Sequence, residues 1–272
     1  ENARAGTVMV DRGKILSAAA LGTLATIGAA RPRVFARLRV AIITTGDEIV
    51  CPESTPGAFQ IRNSNAPMLH AILTAQPWAE LSYVKHVRDD GASLAGALRE
   101  AIDDVEAVVL SGGVSMGHRD PVRAVIVGGG GRIVFHGLPQ RPGKPMLGAI
   151  MTRSDGMRVP VFGLPGNPVS AMVTCTRIVV PVLAQLAGAT RWPTAPRVRL
   201  VDTDGRRLNL WWHRLVRIND DGAAKLIQTH GSGDIVSGGR ADGFIEVPPG
   251  DMTSELYDAM SPALYSFYPW PA

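Results

Sequence analysis

From Arg39 onward, unbroken apolar runs alternate with stretches of helical spacing. Val40–Thr44 is a continuous β-rich run, the pattern of a strand buried on both faces of a parallel sheet. Asn65–Ala75 reads as a helix capped by Asn65, with Pro67 in its first turn. The alternation continues as a strand over Leu81–Val87, a helix over Ser93–Ile102 and a strand over Ala107–Leu110. A helix over Pro121–Val127, strands over Arg132–His136 and Val159–Phe162, and a long helix from Asn167 complete the series. Strands alternating with helices of this length predict βαβ units with right-handed crossovers, hence a three-layer α/β/α sandwich with a mostly parallel sheet. Before it, Ser17–Gly28 has helical apolar spacing that Arg31-Pro32-Arg33 breaks. After Gly188 the pattern changes. Trp192-Pro193-Thr194-Ala195-Pro196 reads as a linker. Beyond it, short strand candidates recur at Val198–Thr203, Leu210–Ile218, Lys225–Gln228, Gly243–Val247 and Ser261–Tyr268, the mark of a small all-β domain. The expected divisions are a lead-in at 1–38, an α/β domain at 39–190 and a β domain at 191–272.

Composition supports a folded chain: 46% hydrophobic and 19% charged residues are globular proportions. The net charge of +4 is carried by 24 Arg and 4 Lys, with no dense basic run interleaved with aromatics. A nucleic-acid partner is therefore not expected, and anionic small molecules account for the balance equally well. Cys51 and Cys175 lie far apart and form no CxxC pair, as expected of reduced thiols in a cytoplasmic protein. Ile15–Ala30 is too short to span a membrane, and Val173–Leu186, which contains Arg177 and Pro181, reads as a buried helix. No signal peptide and no membrane partner are expected. A first residue other than Met leads us to expect a fragment of a longer protein or a processed product.

Ligands of open parallel sheets bind beyond the carboxyl ends of the strands. Three loops leave predicted strands there. Thr44-Thr45-Gly46-Asp47-Glu48 offers a strand-end carboxylate suited to Mg²⁺, although strand-end acids also commonly cap the next turn. Ser111-Gly112-Gly113-Val114-Ser115-Met116-Gly117 lets backbone N–H groups approach phosphate oxygens, and Asp120 follows closely. It matches neither a Walker A loop nor GxGxxG. Arg141-Pro142-Gly143-Lys144-Pro145 is stiffened by two prolines and presents two cations, which suits an oxyanion or, in the bland reading, an ordinary solvated turn. A fourth segment, Gly163–Ser170, leads into the long helix, with Asn167 as cap and Pro168 at its first position.

Taken in order, the blocks TTGDEI, QIRNSN, SGGVSMGHRD, RPGKP and GLPGNPVS resemble the molybdopterin molybdenumtransferase family, which includes the carboxy-terminal domain of gephyrin. The likeness continues through His213-Arg214 and Gly231-Ser232-Gly233 and covers nearly the whole chain. It implies an α/β domain followed by a small β-barrel-like domain. It also implies a reaction: molybdenum insertion into adenylylated molybdopterin, with cleavage of the phosphoanhydride, loss of AMP and a requirement for Mg²⁺. Molybdate and the pterin nucleotide are then the substrates. Carried over by position, Asp47 and Asp120 become Mg²⁺-site acids, catalytic together with Lys144. Ser111, Gly112, Gly113 and Ser115 become the pterin or phosphate cradle. Arg141 and Gly143 accompany Lys144 at the oxyanion site, Ser170 follows the helix-entry motif, and Arg214 and Ser232 are placed to hold molybdate. The resemblance further implies a homodimer in a full-length parent with additional amino-terminal domains. Four positions depart from the family pattern: Asn63 for the usual Asp, Arg141 for a common Lys, His118 for an acid and Asp242 for Asn.

Two other readings compete. A scaffold or pterin-binding paralogue in which catalysis has lapsed is favoured by Asn63 and His118. The preceding adenylylation step, run by enzymes that share the α/β domain, is disfavoured by the added β domain with Arg214. His70, His86, His136 and His230 show no metal-ligand spacing. Of the adjacent Trp211 and Trp212, one is expected to face the core and the other outward.

Overall fold

A computed structural model describes residues 3–114, 121–190, 193–250 and 264–271. The first half runs α1 (Ala18–Thr26), β1 (Leu38–Thr45), β2 (Ile49–Val50), β3 (Ile61–Arg62), α2 (Asn65–Thr74), β4 (Ala79–Val87), α3 (Gly91–Asp104), β5 (Ala107–Ser111) and α4 (Pro121–Gly128). Then follow β6 (Arg132–His136), β7 (Gln140–Arg141), β8 (Leu147–Thr152), β9 (Arg158–Leu164), α5 (Pro168–Thr174) and α6 (Val180–Leu186). The last part holds β10 (Arg197–Val201), β11 (Trp211–Ile218), β12 (Ala224–Leu226), α7 (Ile235–Arg240), β13 (Gly243–Val247) and β14 (Leu264–Pro269).

The main sheet has the order β4-β1-β5-β9-β8-β6. β4, β1, β5 and β9 run parallel, and β8 turns against both β9 and β6. β1 is central and buried at every position but Arg39. Its side chains divide by a period of two. Val40 and Ile42 join Leu69 and Leu73 of α2 and Leu183 of α6, while Ala41 and Ile43 join Leu94, Leu98 and Ile102 of α3 and Ile126 of α4. Two apolar clusters on opposite faces make the expected three layers. β8 was not anticipated from the sequence. Gly148 packs against the Phe135 ring of β6 where a larger residue has no room, so the run Leu147–Thr152 is strand by pairing rather than by pattern.

Between α5 and α6 the helix widens into a π turn at Cys175–Val179. Pro181 has no N–H for the carbonyl of Arg177 four residues back, and the turn lies where that bond is missing. By length and hydropathy alone Pro168–Leu186 could cross a membrane, yet 61% of it is buried, and its residues lie in the sheet-facing core as the sequence predicts.

The second sheet, β12-β10-β14-β13-β11-β7, closes through an added β12–β11 pairing, so β10 to β14 form a small barrel. Its core holds Val216, Ile245, Val247 and Phe267, with Trp212 packed against them, while Trp211 is exposed. Two seams join the barrel to the α/β domain. β7 pairs with β11 in parallel, Trp212 against Arg141. Leu215 and Phe244 of the barrel pack on Val169 and Val173 of α5. At the second seam Arg177 Nε donates to Glu246 Oε1 at 2.9 Å, and His213 Nε2 lies 3.2 Å from the same oxygen. The lead-in meets the end of α6: Thr190 N donates to Gly13 O at 3.2 Å, and Phe35 packs on Gly188.

Candidate functional site

β1 is followed along the chain by β4 on one side of it and then by β5 on the other. The connections diverge at the carboxyl ends of β1 and β5, where this architecture opens a crevice. Thr44–Asp47, Arg88–Asp90, Ser111–Val114 and Leu164–Asn167 all leave strands at that edge. β6 ends and β8 begins there as well, so the Arg141–Pro145 loop belongs to the same rim.

Asp47 is exposed, and its Oδ1 accepts the Asp89 N–H at 3.2 Å, with Arg88 Nε at 3.9 Å. Thr45 Oγ1 donates to Asp89 Oδ1 at 3.0 Å. That oxygen lies 3.3 Å from where a side-chain carbon on Gly113 would stand, so Asp89 flanks the glycine loop. Gly112 has φ +96°, and a Cβ there would run into the Thr45 carbonyl oxygen. Ser111 is buried at the end of β5. Ser115, His118 and Asp120 lie outside the described residues.

Gly143, at φ +92°, is pressed against Thr174 of α5, and a side-chain carbon there would stand 3.7 Å from the carbonyl oxygen of buried Ser170. The exposed side chains of Arg141 and Lys144 make no ion pair among the described residues. Asn167 does not cap α5 with its side chain. Its Nδ2 donates instead to Ser232 Oγ at 2.8 Å, while the Ser232 carbonyl accepts the Val169 N–H at 3.0 Å. A barrel loop thus supplies the cap. Arg214 is gripped by Asp204 through bonds of 2.6 and 2.7 Å, with its guanidinium 4.2 Å from the centre of the Trp212 ring. The hydrogen bond from Arg214 holds the Asp204 carboxyl below its ordinary range against the opposing effect of burial.

The chain from residue 41 to 185 matches the family described as "Probable molybdopterin binding domain", more than half of its length. It belongs to the molybdopterin-binding domain family. Among curated relatives, the molybdopterin molybdenumtransferase of a Nostoc species is 32% identical over 91% of this chain and 58% of its own length. That of Haemophilus influenzae is 30% identical over 75% of this chain and 48% of its own. A crystal structure of a molybdopterin biosynthesis MoeA protein from Pyrococcus horikosii superposes with a TM-score of 0.71 at 30% identity, covering 88% of this chain and 57% of that one. A second Pyrococcus horikoshii structure shares the fold over 100% of this chain, with a TM-score of 0.75 at 22% identity. The chain spans about half the length of the curated relatives it matches.

The molybdopterin-binding domain extends from β1 to the end of α6, so every rim loop named above lies inside it, with the barrel outside. One rim residue, Asp89, has no place in the sequence reading, and two others have different partners from those expected. Asp89 carries the same signal as Asp47, an acid just past a predicted strand. Asn63, not Asn65, tends the start of α2: its Oδ1 accepts the Ala66 N–H at 3.0 Å. Its Nδ2 donates to Thr44 Oγ1 at 2.9 Å, and that hydroxyl also shares a hydrogen bond with His86 Nδ1 at 3.0 Å. Asn65 is turned inward, onto Ser111 and Gly166. As a fit for Mg²⁺, the described residues hold no group of three acidic, histidine or cysteine ligands. Neighbouring Asp47 and Asp89 do suit an ion that takes one or two carboxylates, substrate phosphates and several waters.

Proposed function

We propose that this chain carries the pterin-nucleotide site of a molybdopterin molybdenumtransferase. In this reading adenylylated molybdopterin lies across the β1/β5 crevice, water attacks its phosphoanhydride with release of AMP, and molybdate joins the two dithiolene sulfurs as an oxo oxygen leaves with the two thiol protons as water. The convergence of five loops on one sheet edge in a member of the molybdopterin-binding family carries the reading. Ser111, Gly112, Gly113 and Ser115 cradle the pterin or phosphates, with backbone N–H groups meeting the anionic oxygens. Asp47, with Asp89 beside it, and Asp120 hold Mg²⁺, which when bound neutralises charge on the diphosphate. Lys144 and Arg141, on the turn at Gly143, bind the oxyanion close to Ser170. An anion at Arg214 has to compete with Asp204, and Ser232 acts first by holding Asn167. The whole-enzyme activity, the homodimer and the cytoplasmic setting belong to this proposal.

Calorimetric titration with adenylylated molybdopterin in Mg²⁺ tests it, with wild type beside an Asp47→Ala, Lys144→Ala double variant. Wild type is expected to bind, and the folded double variant to bind at least about 100-fold more weakly, roughly two charge-assisted contacts. Equal affinity of the two overturns the assigned roles. Binding without turnover by a full-length parent favours the scaffold reading.

A further inference from the structure

Asn65 stands at the first turn of α2, 9% exposed, with its carboxamide between two rim loops of different strands. Both of its N–H bonds are spent. Nδ2 donates to Ser111 Oγ at 2.8 Å and to the Gly166 carbonyl at 2.8 Å. A carbonyl only accepts, so Gly166 fixes which end of the carboxamide faces the loops. Oδ1 then points away, closed from solvent and without a donor among the described residues. Behind the loops β5 and β9 pair as far as Ser111 and Leu164, and Val114 of the glycine loop lies against Gly163. Past the strand ends, Gly112 N reaches Leu164 O at 3.4 Å, the outer limit of a hydrogen bond, and Gly166 lies against Gly112. Neither glycine has a side chain to interdigitate.

We propose that Asn65 is a positioning residue of the pterin-nucleotide site, a peg that holds the glycine loop after β5 and the Pro165–Asn167 turn after β9 at one spacing. This rests on the function proposed above. The carboxamide does not touch the substrate. It acts through Ser111 and Gly166, and an unmet acceptor is retained because the two donors must be aimed at those groups. Loss of the peg lets each loop move independently, and the crevice no longer presents its N–H groups as one preformed surface.

The experiment compares wild type, Asn65→Asp, Ser111→Ala and the double variant. Asn65→Asp keeps size and shape, removes both donors and sets an oxygen against the Gly166 carbonyl. An acid in the first turn of a helix is otherwise favourable, so the variant is expected to fold. Hydrogen exchange on the protein alone is read first, with peptides over residues 110–114 and 164–168. Both are expected to exchange at least about 10-fold faster in Asn65→Asp, together, while peptides of α3 stay unchanged. Titration with adenylylated molybdopterin is then expected to show at least about 10-fold weaker binding, and the losses from Asn65→Asp and Ser111→Ala not to add in the double variant. Unchanged exchange in both peptides, or exchange altered with affinity intact, overturns the peg. If wild type itself does not bind the nucleotide, the functional proposal falls, and the exchange result still decides whether Asn65 couples the loops.

Discussion

Gly112 and Gly143 show how single residues set the rim. Each holds a left-handed φ, and each lies against a neighbour that leaves no space for a β-carbon, the Thr45 carbonyl in one case and Thr174 in the other. Gly112→Ala therefore combines an unfavourable backbone region with a clash. We expect it to lower stability by on the order of 1–3 kcal/mol, read as a shift in the urea midpoint at constant slope. A midpoint within error of wild type would show that the β1 end can yield. The residue scale also holds the clearest mismatch between pattern and chemistry. Asn65 has the sequence position of a helix cap, but the capping bond comes from Asn63. A cap is chosen by a side-chain direction two residues wide, and the sequence reports only that asparagines are present.

Among the helices, α3 contains the whole of its expected span, Ser93–Ile102, and extends it by two residues at each end. Asp90 caps it, accepting the Ser93 N–H at 2.8 Å, and these bonds to Ser93 hold its carboxyl below the ordinary range. Leu94, Ala97, Leu98, Ala101 and Ile102 form one buried stripe. Gly96 sits on the opposite face with open space where a β-carbon would stand. Gly96→Ala is expected to raise stability by about 0.5–1 kcal/mol, measured by urea or thermal unfolding. A loss instead would mean that the exposed face is occupied in solution. β7 is the opposite case. Gln140 and Arg141 have no strand pattern, and they become a strand because β11, about seventy positions later, lies alongside. The cationic loop is thereby held by the barrel from one side and by α5 from the other.

At the scale of the molecule, the seam between barrel and α/β domain turns on one carboxylate. Burial pushes the Glu246 carboxyl up, but hydrogen bonds from His213 and Arg177 and the charge of Arg177 outweigh it and bring it down to about 2. A carboxyl depressed in the folded state contributes stability that is full above its unfolded value near 4.5 and lost as pH falls toward 2. The difference corresponds to at most about 3 kcal/mol, and to less once solvent screening of this half-buried pair is counted. Glu246→Gln is expected to be less stable than wild type at pH 7, with the gap closing between about pH 4.5 and 2. Urea midpoints of both proteins across that interval test this; a gap that stays constant would assign the seam to the apolar contacts of Val169, Val173, Leu215 and Phe244 instead.

The sequence by itself determined the layers, the strands buried on both faces, the loops at the strand ends and the presence of a separate β domain. Each of these follows from local spacing, which a few neighbouring residues are enough to express. The specific family blocks carried most of the rim with them. What tertiary structure alone decided is pairing across distance. Leu147–Thr152 became a strand against β9, the barrel closed through β12 and β11, and Ser232 became the cap of a helix more than sixty positions earlier. Asn65 was committed to Ser111 and Gly166, and Arg214 to Asp204. A hydrogen bond between residues far apart in sequence depends on where both chains end up, and no window of local spacing contains that information.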